Sequence, residues 1–161
     1  MEFPPASSIE VGGTEYLLDQ IHFHSPSEHL IDGRPAAMEF HFVNEATDGT
    51  AVALGVLVEE GSENPAFSPL LQALPTNKGE TLPVPGTVNA LGLHPPRPES
   101  APRWSYEGSL TTPPCSEVVL WSVYEQPIEL SAEQIADYRA VYDNNNRPVQ
   151  PLDGRELLLG R

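Results

Sequence analysis

Four of the five histidines fall within twenty residues, at His22, His24, His29 and His41. Side chains two apart in a β-strand point to the same face, so His22 and His24 project together with Phe23 on the opposite side. His41 stands in a second strand-like run, Ala37 to Asn44, and antiparallel pairing with the first would bring it alongside. Three neutral imidazoles that converge and leave a fourth position open are the donor set of a catalytic zinc ion. A lone histidine is usually satisfied by ordinary hydrogen bonds; the conjunction of His-x-His with a third strand histidine is what favours a metal. Gln20 precedes His22 by two and Glu39 precedes His41 by two, so each shares a face with a candidate ligand. Each is placed to accept the second ring N–H of its neighbour and fix the tautomer.

A rival pattern overlaps these residues. His22-x-His24-x3-Glu28-x4-Gly33 resembles the first motif of cupins, where the glutamate is itself a ligand. Cupins need a second motif with a further histidine. The only histidine after position 41 is His94, and Gly92-Leu-His-Pro-Pro-Arg97 lacks that context.

The elements that must position these residues are short and heavily punctuated, by 18 prolines and 12 glycines. Ser8 to Val11 and Glu15 to His24 flank Gly12-Gly13, a hairpin signal. Ala37 to Asn44 and Thr50 to Glu59 read as a second strand pair, and Glu117 to Tyr124 as a buried strand rich in Val, Trp and Tyr. Asn64 to Leu74 reads as a helix opening on an N-cap and Pro65, with Phe67, Leu70, Leu71 and Leu74 on one face, although Pro69 interrupts it. Ser131 to Tyr142 starts with Ser131-Ala-Glu-Gln134, a capping box. Pro83 to Arg103 reads as irregular, the stretch from Asn144 as loop plus a short strand, and Met1 to Phe3 as β-like. The sum is a mainly β chain with two minor helices.

Composition removes several classes of function. The 161 residues make one domain, 1–161, whose 39% hydrophobic content suffices for a core. Eight basic residues against 23 acidic ones give a net charge of −15, which repels phosphate backbones and argues against nucleic acid as a partner. No apolar run approaches the length that spans a bilayer. Cys115 is the only cysteine, so there is no internal disulfide and no cysteine-rich zinc site. Met1 to Pro5 has neither the basic nor the apolar part of a signal peptide.

Tyr106-Glu-Gly-Ser-Leu-Thr-Thr-Pro-Pro-Cys-Ser-Glu117 supplies the decisive pattern. Together with Gln20-Ile-His-Phe-His24, Ser27-Glu-His29, Met38-Glu-Phe-His41 and Asn145-Asn-Arg-Pro-Val-Gln-Pro151, in that order along the chain, it resembles the α-class carbonic anhydrases of bacterial type. The resemblance implies a large twisted, mostly antiparallel central sheet and reversible zinc-dependent hydration of carbon dioxide to bicarbonate. It implies His22, His24 and His41 as zinc ligands, with Gln20 and Glu39 as their outer partners. Thr111 would accept a hydrogen bond from zinc-bound hydroxide while donating its own proton to Glu28, an orienting group and not a ligand. Thr112 would line the bicarbonate site, and Val43, Leu110, Val119 and Trp121 the apolar wall for carbon dioxide. Ala53 stands where a larger apolar residue is usual, and His29 matches a buried structural histidine.

The resemblance also implies departures. The family's proton-shuttle histidine, its surrounding strands and the cysteine that commonly pairs with the position of Cys115 all lie upstream of the position equivalent to Met1. The chain therefore reads as a domain truncated at its N-terminus, with slow turnover dependent on external buffer. A non-catalytic carbonic-anhydrase-like binding or interaction domain, or an inactive fragment, is the alternative. A periplasmic or extracellular location follows from the bacterial relatives alone.

Overall fold

A computed structural model describes residues 7–86 and 88–160, so the β-like reading of Met1 to Phe3 lies outside the described residues. The hairpin at Gly12-Gly13 joins β1 (Ser8–Val11) to β2 (Thr14–His24). Both glycines take positive φ, 59° and 82°, a conformation that a side chain would strain. A two-stranded hairpin of β3 (Leu30–Ile31) and β4 (Arg34–Pro35) follows, then β5 (Met38–Glu45) and β6 (Ala51–Glu60). The later strands are β7 (Arg103–Gly108), β8 (Val119–Tyr124), β9 (Ile128–Leu130) and β10 (Leu158–Gly160). The sheet runs β1-β2-β5-β6-β8-β7-β10, with β9 continuing beyond β8 along β6. Pairing is antiparallel throughout except where β8 and β9 run parallel to β6.

The two helices divide sharply. Helix α2 (Ala132–Val141) has the full capping box: the Ser131 hydroxyl accepts from the Gln134 amide, and the Gln134 side chain accepts from the Ser131 amide. The helix expected over Asn64 to Leu74 shrinks to one turn, α1 (Ser68–Leu71). Asn64 caps a turn instead, its Oδ1 accepting from Ala66 N, and Pro69 is tolerated because it sits in the first helical turn, where no N–H is needed. The expected apolar face survives this change, with Phe67 and Leu70 buried. Residues 90–93, within the stretch expected to be irregular, form one 3-10 turn. Among the described residues no helix is long and apolar enough to cross a membrane.

The sheet buries both faces around β5. Phe40 and Phe42 enter the main core with Ile21, Val52, Val56, Phe67 and Tyr138. Val119, Trp121 and Val123 form a smaller cluster with Ala53 and Leu57 on the other face. A β-bulge in β2 decides which face the histidines take. Leu18 pairs with Asn44 but Gln20 pairs with Val43, so Asp19 is an extra residue with no partner. The insertion resets the two-residue alternation. Leu18 joins the main core, while Gln20, His22 and His24 turn to the opposite face, where strict alternation from Leu18 would not have put them.

Candidate metal centre

Register builds the centre directly. His22 lies opposite His41 in the β2–β5 ladder, and His24 lies opposite Glu39. One ring nitrogen from each of His22, His24 and His41 lies within 4.8 Å of the other two. His22 Nε2 and His41 Nδ1 are 3.2 Å apart. Zinc–nitrogen bonds of about 2.0–2.1 Å on a tetrahedron place neighbouring ligand atoms about 3.3 Å apart, so this spacing suits two ligands of one ion.

The outer partners fix which nitrogen is free. Glu39 Oε1 lies 3.0 Å from His41 Nε2, and the main-chain oxygen of Asn145 lies 3.2 Å from His24 Nδ1. Both oxygens only accept, so those nitrogens carry the protons and leave lone pairs on His41 Nδ1 and His24 Nε2. His24 Nε2 and His22 Nδ1 are buried with no hydrogen-bond partner among the described residues. Buried polar atoms are rarely left this way, and an atom that a cation would satisfy accounts for His24 Nε2. Burial, reinforced by His41 and His24 nearby, pushes His22 down to about 3, and burial and His41 lower His24 too. His22 and His24 are therefore neutral at pH 7, as metal ligands must be. The donor set fits a zinc ion.

Glu39 is the hub of the hydrogen bonding around the rings. Its Oε2 accepts from the main-chain N–H groups of Glu28 and His29, each at 2.9 Å, and its Oε1 faces His29 Nδ1 at 2.5 Å as well as His41 Nε2. Complete burial opposes its ionisation, yet His29 and His41 hold the carboxyl well below the usual range. His29 is raised in turn, burial notwithstanding, by Glu39. His29 Nε2 meets the Tyr106 hydroxyl at 2.6 Å, and burial pushes that hydroxyl up, so it stays neutral. His29, Glu39 and His41 also lie close enough to hold an ion, but both nitrogens of His29 already have partners within the protein.

Other expected residues are placed less closely. Gln20 is on the ligand face and half-buried, but among the described residues it makes no hydrogen bond to His22. Glu28 Oε1 accepts from Arg147 N at 2.6 Å and lies 3.5 Å from His24 Nδ1, while its buried Oε2 has no hydrogen bond among the described residues. Thr111 and Glu28 line one cavity of ≈ 470 Å³ with Trp121, but the expected Thr111–Glu28 hydrogen bond is not formed. Val43, Val119 and Trp121 are buried, Leu110 is half-buried against the Trp121 cluster, and Thr112 is exposed.

Three contributors escaped sequence reasoning. Gly55 lies opposite His41, and a Cβ there would meet Glu39 Oε1 at 2.9 Å. A glycine inside an otherwise apolar strand was the available signal. Tyr106 and Asn145 were visible only as members of motifs, without roles.

The comparisons agree with this geometry. A family model described as eukaryotic-type carbonic anhydrase matches residues 2–160. A carbonic anhydrase from Klebsiella pneumoniae is 38% identical over 154 residues, covering 95% of this chain and 61% of that protein. The chain thus spans about three fifths of the length of this relative. A hyperthermostable carbonic anhydrase from a hydrothermal vent chimney superimposes with a TM-score of 0.92 at 41% identity, covering 99% of this chain and 71% of that one. The α-carbonic anhydrase of Thermovibrio ammonificans, solved with the inhibitor sulfanilamide, gives 0.90 at 38% identity, covering 97% and 68%. With the family model matching residues 2–160 and these structures superimposing over nearly the whole chain, the chain belongs to the eukaryotic-type, or α-class, carbonic anhydrase family.

Proposed function

We propose that this chain is a single domain that holds one zinc ion on His22, His24 and His41 and catalyses reversible hydration of carbon dioxide to bicarbonate. The observation that carries the reading is the pair of nitrogens 3.2 Å apart on His22 and His41, beside the buried, unpartnered Nε2 of His24. When bound, zinc supplies the Lewis acidity that makes hydroxide available near neutral pH, for which carbonic anhydrase is itself the standard example.

The protein's own contribution is orientation and exclusion of water. Glu39 and the Asn145 carbonyl hold two rings in the tautomer that leaves a lone pair for the metal. Gln20, sharing the face of the unpartnered His22 Nδ1, is the proposed third outer partner. Val43, Val119, Leu110 and Trp121 offer an apolar wall to an apolar gas, and Thr112 is the proposed polar contact for bicarbonate. Thr111 is assigned to donate its proton to the open Oε2 of Glu28, which leaves the threonine oxygen as an acceptor facing the site.

Zinc analysis combined with stopped-flow carbon dioxide hydration tests the proposal. One zinc per chain and hydration that rises with buffer concentration are expected. A folded protein that takes up no zinc and leaves the uncatalysed rate unchanged overturns it.

A further inference from the structure

A second cavity, of ≈ 740 Å³, lies across the sheet from the candidate metal centre. Its floor is the main-core face of β5, β6 and β8, where Phe42, Val52, Leu54 and Leu120 meet Leu18 of β2. Hollows of about 300–1,000 Å³ with apolar walls and a few convergent polar groups are the usual form of a small-molecule site.

Polar side chains interrupt this floor at one end. Ser122, only 8% exposed, stands between Leu120 and Tyr124 and lies opposite Ser105 in the β7–β8 ladder. Both serines line the cavity, and neither hydroxyl has a hydrogen-bond partner among the described residues. A hydroxyl set into an apolar face without a partner is destabilising until something in the cavity satisfies it.

Arg103 brings a positive charge to the same end. It precedes Ser105 by two, so the two share a face of β7, and its guanidinium reaches the hydroxyl of Tyr124, which lies opposite it in the ladder. A guanidinium has five N–H donors, and among the described residues no carboxylate lies within 4.0 Å of this one. The other titratable groups of the lining are Glu10, Glu99, His94 and Tyr124. Burial holds His94 and Tyr124 neutral at pH 7, and the two glutamates are exposed. Those carboxylates oppose entry of a dianion, whereas the guanidinium has room for one carboxylate.

We propose that this cavity binds a small monocarboxylate with an apolar body. Arg103 and the hydroxyls of Ser105 and Ser122 take the carboxylate, while Phe42, Leu54 and Leu120 take the body. The site needs no metal. Phe42 and Leu120 adjoin His41 and Trp121 in the chain, but those neighbours face the other side of the sheet.

The test titrates octanoate into the full, zinc-loaded chain by calorimetry and amide NMR. Octan-1-ol serves as the uncharged counterpart and acetate as the headgroup alone. Octanoate should saturate a single site and shift the amides of Leu54, Ser105 and Ser122, with both counterparts at least about 10-fold weaker. Stripping the zinc should leave octanoate binding unchanged, which separates this site from a carboxylate held on the metal. Arg103→Gln should weaken octanoate about 10-fold and leave octan-1-ol unchanged. Ser122→Val should act in the same direction by less, and carries the measurement should Arg103→Gln not fold. The proposal is overturned by an absence of saturable binding, by shifts confined to the strands around His22, His24 and His41, or by loss of binding with the zinc. Octan-1-ol binding as tightly as octanoate, or folded variants that bind octanoate as the wild type does, overturn it equally.

Discussion

Strand β5 carries two opposite solutions to burial, one on each face. Phe40 and Phe42 point into the main core and Glu39 and His41 into the centre, and all four are at most 2% exposed. The aromatic face is stabilised by removing apolar surface from water, about 2–3 kcal/mol for each ring, and places few demands on geometry. The polar face gains nothing from burial. Glu39 is tolerated only because four N–H groups converge on it. Each of those bonds restricts a residue that matters to the centre. The apolar face therefore supplies stability and the polar face supplies aim.

A second contrast lies between the clustered histidines and His94. His94 is on the far side of the sheet, tilted 32° against Phe42 with ring centroids 4.0 Å apart, and beside Tyr124. Its Nδ1 is buried without a hydrogen-bond partner among the described residues, like His24 Nε2. Among the described residues, no other imidazole or carboxylate joins it in a group that could hold a metal. An imidazole packed alone among apolar side chains is a core residue, whereas His22, His24 and His41 converge in a group that could hold a metal.

Substitutions can break this comparison. The largest effect should come from His41→Ala, which should abolish stoichiometric zinc and reduce hydration to background, while His94→Ala leaves zinc content intact; metal analysis of the two proteins decides. Phe40→Ala should cost about 3–5 kcal/mol in urea unfolding while the folded fraction still binds zinc, since it acts on the apolar face alone. Its neighbour Glu39→Gln should do the reverse in emphasis, lowering zinc affinity about 10- to 100-fold in chelator competition with a smaller loss of stability.

The smallest effect is a pH dependence. Burial lowers His94 from 6.5 to about 4. The unfolded chain then binds more protons at this residue between those two values, so stability falls as pH drops from 6.5 towards 4 and is unaffected by it above 6.5. Comparing urea unfolding of the wild type with His94→Leu across this range should isolate about 1–3 kcal/mol of the acid-side loss. Parallel curves would refute the account of His94.

Much of this was legible in the sequence because the controlling signals are local. The two-residue spacing of His22 and His24, the Gly12-Gly13 turn and the Ser131–Gln134 box each concern neighbours in the chain, and the structure has all three. The shortened α1 was harder to read, because Pro69 is compatible either with a broken long helix or with the start of a short one. The bulge at Asp19 left a trace, since the apolar residues Leu18, Ile21 and Phe23 are spaced by three and then two. The roles of Asn145 and Tyr106 were illegible, because contacts across 121 and 77 residues depend on topology that no local pattern encodes.

The parallel pairing of β8 with β6 has a kinetic consequence. The hairpin that carries His22, His24 and His41 closes across residues 25–37, whereas β8, which brings Trp121 and Val119, must return across residues 61–118 to lie beside β6. Chain entropy opposes the long closure more than the short one. The three imidazoles should thus meet early in folding, on a loop of modest length, before the wall that shields them is in place. Refolding with zinc present from the start should then differ in rate from refolding with zinc added at the end.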